Sequence, residues 1–229
     1  MFSERKEKIM REAAEALKRA GRTDSVTLLA VSKTFPAESI IDAYGQGQRL
    51  FGENKVQEAL EKREKLRDLK DLELHFIGHL QTNKVKYLKD SFSLIHSVDR
   101  IPLLNEMEKH FARENRVQDV LIQVNVADDP AKSGVDVAEL PALLEAASKC
   151  RHIRVKGFTM MPPLVNEAEE NRVHFARTRE LMEEMKGKFA SENIDLQILS
   201  MGMSDDFTVA VEEGSTLIRI GTALFGGRS

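Results

Sequence analysis

One cysteine, two tyrosines and no tryptophan occur among the 229 residues. A lone thiol, Cys150, forms neither an internal disulfide nor a cysteine metal site, so nothing points to an oxidising compartment. It closes an apolar helical pattern and reads as packing. No apolar stretch approaches the roughly 20 residues of a membrane-spanning helix, so no membrane partner is expected. Basic residues are not in excess either: 34 Lys and Arg against 37 Asp and Glu leave a net charge of −3. Without a basic field or a basic tail the chain has no electrostatic footprint for nucleic acid. The first twenty residues lack the apolar core of a signal peptide, and Glu4, Glu7, Glu12 and Glu15 are too acidic for a mitochondrial presequence. The expectation is a cytoplasmic protein.

What is present is enough apolar sequence, 41% of residues, to bury one large core, and enough charge, 31%, to clothe it. Residues 1–229 read as a single domain. Ile9, Ala13, Ala16, Leu17 and Ala20 recur at helical spacing over 3–20, with Ser3 as the cap and Gly21 as the stop. Then an almost unbroken apolar run, Val26 to Val31, has the look of a strand buried on both faces. Pro36 opens a helix that stops in Gly45–Gly47. The alternation repeats: strands at 49–52, 73–78, 91–97, 119–126, 153–160, 195–201 and 215–221, with helices at 53–67, 81–89, 100–114, 137–150, 167–192 and 205–213 between them. The loop from Asp128 to Gly134 is full of turn residues.

Eight strands alternating with helices predict an α/β fold, a single closed TIM-type (β/α)8 barrel with an additional N-terminal helix. The main competitor is an open doubly wound sheet. That fold usually carries a glycine-rich turn after its first strand, and here the turn reads SKTFPA with no glycine.

Active sites of such barrels lie at the carboxyl ends of the strands. In order, those ends deliver Lys33, then Glu53 and Asn54, His79, His96 and Ser97, Asn125, Met160 and Met161, the segment Ser200–Asp206, and Arg219–Gly226. An amine brought to the end of a buried strand is desolvated, which disfavours its charged form and makes it a nucleophile for carbonyls. The competing reading of Lys33 is that it snorkels into water.

Phosphate groups in these barrels are often held by the loops after strands seven and eight. Gly202 permits close backbone approach, Ser200 and Ser204 offer hydroxyls, and Gly221 and Thr222 stand where the last helix exposes its amides. Taken alone, the glycines serve equally as turn residues and Ser204 as a helix cap. A lysine facing a phosphate cradle suggests a phosphorylated carbonyl held as a Schiff base, for which pyridoxal 5'-phosphate is the obvious candidate. Arg219 would then face the pyridine nitrogen and oppose its protonation; its alternative is a salt bridge inside the barrel mouth. His79 and Asn54 are candidates for contacts to the ring, or local hydrogen-bonding residues. No residue set suggests a metal.

The sequence resembles the pyridoxal phosphate homeostasis proteins, whose barrel is similar to the amino-terminal domain of alanine racemase. The resemblance covers essentially the whole chain. It is carried by AVSKTFP (30–36), FGENKVQEA (51–59), HFIGHLQTNK (75–84), IHSVD (95–99), QVNVADDPAKSG (123–134), LSMGMSDD (199–206) and IRIGTALFG (218–226). Departures are few: Lys55 where an aromatic is usual, Leu74 where tryptophan is frequent, and Phe158–Pro163 in place of a segment beginning GLM.

By that resemblance Lys33 forms the Schiff base, Ser200, Gly202, Ser204, Gly221 and Thr222 surround the phosphate, and Arg219 approaches the ring nitrogen, with Asn54 and His79 nearby. The family implies a protein that maintains the cofactor supply without established turnover, possible recipients being apoenzymes that depend on it. The alternative is a weak amino-acid racemase. Racemisation needs an acid or base on each face, and both tyrosines, Tyr44 and Tyr87, fall on predicted helices. Alanine racemase draws its second base from a carboxyl-terminal domain for which 229 residues leave no room, so His79 is the remaining candidate. A monomer is expected on the same ground. A Schiff-base aldolase for a sugar phosphate fits the lysine and the loops but not the family motifs.

Overall fold

Among the described residues, nine runs satisfy their backbone groups as strands, all parallel to their neighbours. The computed structural model describes residues 1–88, 90–129, 133–189 and 191–226. The strands are β1 Thr27–Val31, β2 Leu50–Glu53, β3 Glu73–Phe76, β4 Leu94–Val98, β5 Gln118–Asn125, β6 Val135–Asp136, β7 Ile153–Thr159, β8 Ile194–Ser200 and β9 Leu217–Ile220. Around β1 the order runs β4-β3-β2-β1-β9-β8-β7-β5, and pairing of β4 with β5 closes the ring. Eight strands thus form the barrel. The ninth, β6, is a two-residue addition that pairs only with Val124 and Asn125 of β5.

The helices are α1 Phe2–Arg19, α2 Ala37–Gly45, α3 Val56–Lys65, α4 Ile101–Arg113, α5 Leu140–Ser148, α6 Arg172–Lys188, α7 Phe207–Glu212 and α8 Thr222–Phe225. Helix α1, which precedes the barrel, buries Phe2, Ile9, Ala13 and Ala16, and Arg5 Nη1 donates to the carbonyl of Leu224 at 3.1 Å.

Strand residues alternate between two faces, and the alternation separates two interiors. Ala30, Leu74, Phe76, Ile95, Phe158, Leu199, Ile218 and Ile220 belong to the continuous apolar layer shared with the helices. Their strand neighbours Leu29, His75, Leu94, His96, Thr159, Ser200, Leu217 and Arg219 are buried but lie outside that layer, which puts them on the inner face of the barrel. Leucines fill part of this inner space. Five polar side chains fill the rest, a composition no stretch of sequence displays contiguously.

Several element boundaries differ from the sequence expectation. Val135–Asp136 is a strand where a loop and helix start were expected. Pro141 lies in the first turn of α5, the one place a helix tolerates it, so the helix starts at Leu140 and not at Val137. Glu53 is drawn into β2 by its pairing with Phe76, and α3 begins three residues later. The expected helix at 81–89 is a 3-10 helix, Thr82–Tyr87, with Lys89 outside the described residues. The long helix at 167–192 divides into a 3-10 turn, Ala168–Asn171, and α6, which stops where Phe189 turns extended; Ala190 lies outside the described residues. Residues 130–132 of the DDPAKSG loop also lie outside them.

Candidate functional site

At the carboxyl ends of the strands lies a cavity of about 430 Å³, in the range of small-ligand pockets, lined by Val31 of β1, Arg219 of β9 and residues of the turns after β1, β2, β3, β7, β8 and β9. Lys33, Asn54, Ser204, Arg219, Gly221 and Thr222 all contribute to its wall. Six of the nine residues singled out from sequence thus meet at one place.

Lys33 does not end the buried strand directly. β1 stops at Val31, Ser32 continues the ladder by donating its N–H to Gly52 O at 3.0 Å, and Lys33 is exposed at the mouth. Lys33 thus stands exposed beyond the strand and not sealed at its end, contrary to the expectation from the apolar run. The turn that presents it is costly in itself, since Thr34 has φ +70, the left-handed region that side chains rarely adopt. An ion cluster holds this turn from beneath. Glu53, fully buried, accepts from Ser32 Oγ at 2.6 Å and Lys62 Nζ at 2.8 Å; Lys62 also pairs with Glu58 at 2.8 Å and donates to Ser32 O at 3.1 Å. Glu58 in turn accepts from the Thr34 N–H at 3.1 Å. Burial pushes the Glu53 carboxyl up from its ordinary pKa, opposed by its two hydrogen bonds and the Lys62 charge.

Beside the Lys33 turn stand the turns after β9 and β8, because β9 pairs directly with β1 and β8 follows it in the ring. The N–H groups of Ser204, Asp205 and Thr222 find no acceptor among the described residues, and Ser204 and Thr222 add hydroxyls. α8 is a single turn, so the cradle rests on individual N–H donors and not on a helix dipole. Gly202 and Ser200 do not line the cavity. Gly202 has φ +88, and a Cβ there would fall 2.7 Å from Ala210 Cβ and 2.8 Å from Phe207 Cα. It is required by the close packing of α7 behind the turn, while its carbonyl accepts the Arg219 N–H at 3.0 Å. Ser200 is buried inside the barrel beneath the mouth.

Arg219 is the electrostatic centre of the site. No carboxylate pairs with it among the described residues, so the alternative reading of Arg219, a salt bridge inside the mouth, is not what the structure shows. Neutral acceptors surround it: Nη1 reaches Thr159 Oγ1 at 3.0 Å and both the Oγ, at 2.8 Å, and the carbonyl of Ser200, while Nη2 reaches Met160 O at 2.9 Å and Met161 Sδ at 3.3 Å. Burial lowers its pKa to about 10, with the charge of Asp206 opposing, so the guanidinium stays charged at neutral pH. Among the described residues its Nε makes no hydrogen bond, and the residue lines the cavity. The amide of Asn54 is likewise unused, and its Oδ1 is buried without a partner. Gly78, just past β3, packs against the backbone here: a Cβ on it would stand 2.0 Å from the Asn54 main-chain carbonyl oxygen.

His79 falls elsewhere. It is half exposed, 3.4 Å from Ser133 Oγ, and lines an adjoining cavity of about 340 Å³ together with His96, Gln123 and Thr159. Ile77, Met161, Met203 and Arg219 are shared between the two cavities. Neither tyrosine lines either one: the Tyr44 hydroxyl is bonded to Asp71, and Tyr87 sits on the outer 3-10 helix. Among the described residues no group of three or more His, Cys, Asp or Glu is arranged to hold a metal, and no helix is long and apolar enough to cross a membrane.

Sequence reasoning missed His75, Thr159 and Lys62. His75 sits in the middle of an apolar strand. Its only signal was that parity: alternation from Leu74 and Phe76 assigns it to the opposite face.

The model of the alanine racemase amino-terminal domain matches residues 7–229. A pyridoxal phosphate homeostasis protein of Aquifex aeolicus is 46% identical over 226 residues, covering 98% of this chain and 97% of that one. One from Pseudomonas aeruginosa is 43% identical, covering 96% and 91%. Among solved structures, PipY of Synechococcus elongatus with pyridoxal phosphate bound superposes with a TM-score of 0.86 at 38% identity, covering 99% of this chain and all of that one. Alanine racemase of Corynebacterium glutamicum, at 18% identity and TM-score 0.64, is similar in fold over 61% of its length.

Proposed function

The chain belongs to the family of pyridoxal phosphate homeostasis proteins, and on that premise we propose that it holds pyridoxal 5'-phosphate in the cavity at Lys33, as a carrier without catalytic turnover. One observation carries the reading. A single cavity is walled by the exposed amine of Lys33, the guanidinium of Arg219 with a free Nε–H, the unused amide of Asn54, and the unpaired N–H groups of the Ser204 and Thr222 turns. Those are the donors that an aldehyde bearing a phosphate and a ring nitrogen requires.

In this assignment the amine condenses with the aldehyde carbon, releasing water and forming a Schiff base. Ser204, Gly221 and Thr222 bind the phosphate through N–H and hydroxyl donors. Gly202 and Ser200 act from behind, the first by shaping the turn and the second by holding Arg219. Arg219 donates Nε–H to the ring nitrogen, and its fixed charge keeps that nitrogen unprotonated, which weakens the ring as an electron sink. Such a site stores the cofactor better than it activates a substrate. The carrier reading includes a monomer in the cytoplasm that supplies cofactor-dependent apoenzymes.

The test is direct. The loaded protein should show a visible absorbance that borohydride abolishes, with the reduced adduct mapping to Lys33 by peptide mass. A protein that stays colourless on reconstitution, or a label on another lysine, would sink the assignment. The racemase reading is favoured by one observation, the histidine of the adjoining cavity, His79. Steady exchange of an amino acid's α-proton in deuterated water, abolished in His79→Phe, would replace the carrier reading with it.

A further inference from the structure

Beneath Arg219 runs a chain of buried polar groups of which the cofactor assignment uses only Ser200. Ser200 Oγ stands 3.2 Å from His96 Nδ1, and His96 Nε2 stands 3.0 Å from His75 Nδ1. Both imidazoles are almost fully enclosed on the inner face of the barrel. Hydrogen-bond accounting fixes their protons. Arg219 only donates, so at Ser200 Oγ it takes a lone pair, and the hydroxyl hydrogen must find another acceptor. His96 Nδ1 is the acceptor within reach. An Nδ1 that accepts carries no proton, so a neutral His96 keeps its proton on Nε2 and donates it to His75 Nδ1. His75 then carries its own proton on Nε2.

The opposite direction fails on two counts. It leaves the Ser200 hydrogen without an acceptor among the described residues, a costly omission in a buried site. It also turns the positive ends of two imidazole dipoles toward a guanidinium that no carboxylate contacts among the described residues. Burial holds both rings neutral, lowering the His75 pKa to about 3 and that of His96 well below its ordinary value.

We infer that His96 and His75 are positioning residues: as neutral Nε2–H tautomers they polarise Ser200 toward Arg219 and so hold the uncompensated guanidinium with its Nε facing the ligand. The claim rests on the assignment of Arg219 to the cofactor ring, and it adds the residues that make that assignment possible without a carboxylate. A chain of oriented neutral dipoles substitutes for a counter-ion. The advantage over a carboxylate is that the full positive charge remains available to the ligand.

The experiment has two arms. Long-range proton–nitrogen NMR on the 15N-labelled protein, with and without pyridoxal 5'-phosphate, reads the tautomers. Nε2–H is expected on both rings, with no change between about pH 5 and 8, where an ordinary histidine titrates. Ser200→Ala, which removes only a hydroxyl, should leave the protein folded and return His96 to a mixture of tautomers. In the second arm, His96→Leu should weaken pyridoxal 5'-phosphate binding about tenfold, the worth of one buried hydrogen bond, and shift the visible absorbance. His96→Gln, which can accept from Ser200 and donate to His75, should restore both. An Nδ1–H on His96, or a His96→Leu protein with unaltered affinity and spectrum, would overturn the inference. If no variant and no wild-type protein binds the cofactor, the carrier assignment fails, while the NMR arm still decides the tautomer chain. Should His96→Leu fail to fold, Ser200→Ala decides the binding arm, since it breaks the same link.

Discussion

Replacing Lys62 by methionine removes one charge from the cluster under the Lys33 turn and keeps the length of the side chain. Glu53 would then be fully buried with one oxygen bonded to Ser32 alone and the other to nothing. Breaking a buried pair in this way costs about 3–5 kcal/mol, because an uncompensated charge stays behind. At about 2–4 °C per kcal/mol for a chain of this size, the melting temperature should fall by roughly 6–20 °C at neutral pH. The pH dependence has a definite sign. Burial already raises the folded-state pKa of Glu53 above 4.5, and losing Lys62 raises it further. Such a group contributes stability that is fully present below its unfolded pKa and is lost as pH rises through the folded one. The deficit of Lys62→Met relative to wild type should therefore be largest near neutral pH and shrink toward about pH 4.5. Urea and thermal melts followed by circular dichroism at both pH values measure it. Adding Glu53→Gln should recover a large part of the loss, since a neutral amide needs no counter-ion. A Lys62→Met protein within about 1 kcal/mol of wild type, or a deficit that grows on acidification, would refute the ion-pair account of this turn.

Three further outcomes follow from the site. Gly78→Ala forces backbone against the Asn54 carbonyl and should destabilise by about 3 kcal/mol in urea melts; an unchanged midpoint would mean the strands can part. Pyridoxal, which lacks the phosphate, loses two or more charge-assisted hydrogen bonds and should bind roughly 100-fold more weakly by absorbance titration. Equal affinity would remove the phosphate from the Ser204 and Thr222 turns. Arg219→Gln keeps a donor and removes the charge, so the ring nitrogen should protonate and the absorbance shift; a spectrum identical to wild type would separate Arg219 from the ring. Arg219→Glu is a poorer probe than the sequence suggests, because its carboxylate would face the carbonyl oxygens of Met160 and Ser200.

The sequence by itself determined the barrel, because eight apolar runs alternating with helices, seven of them ending in polar or glycine residues, have few other ways to bury their strands. It also determined the side of the barrel where Lys33, Asn54, Ser204, Gly221 and Thr222 would gather, since strand ends in a parallel barrel share one face. Tertiary structure alone decided which polar residues look up into the cavity and which look inward. Ser200 and Ser204 are equivalent hydroxyls in the motif LSMGMSDD, yet Ser200 still belongs to β8 and points down toward His96, while Ser204 lies beyond the left-handed Gly202 and lines the mouth. His75 looks like part of an apolar strand until strand pairing sets its register against Gly52 and lays β3 beside β4, where it meets His96. The physical reason is that strand parity is local but partnership across the barrel depends on closure, and only closure places four polar groups from β3, β4, β8 and β9 within hydrogen-bonding distance of one another.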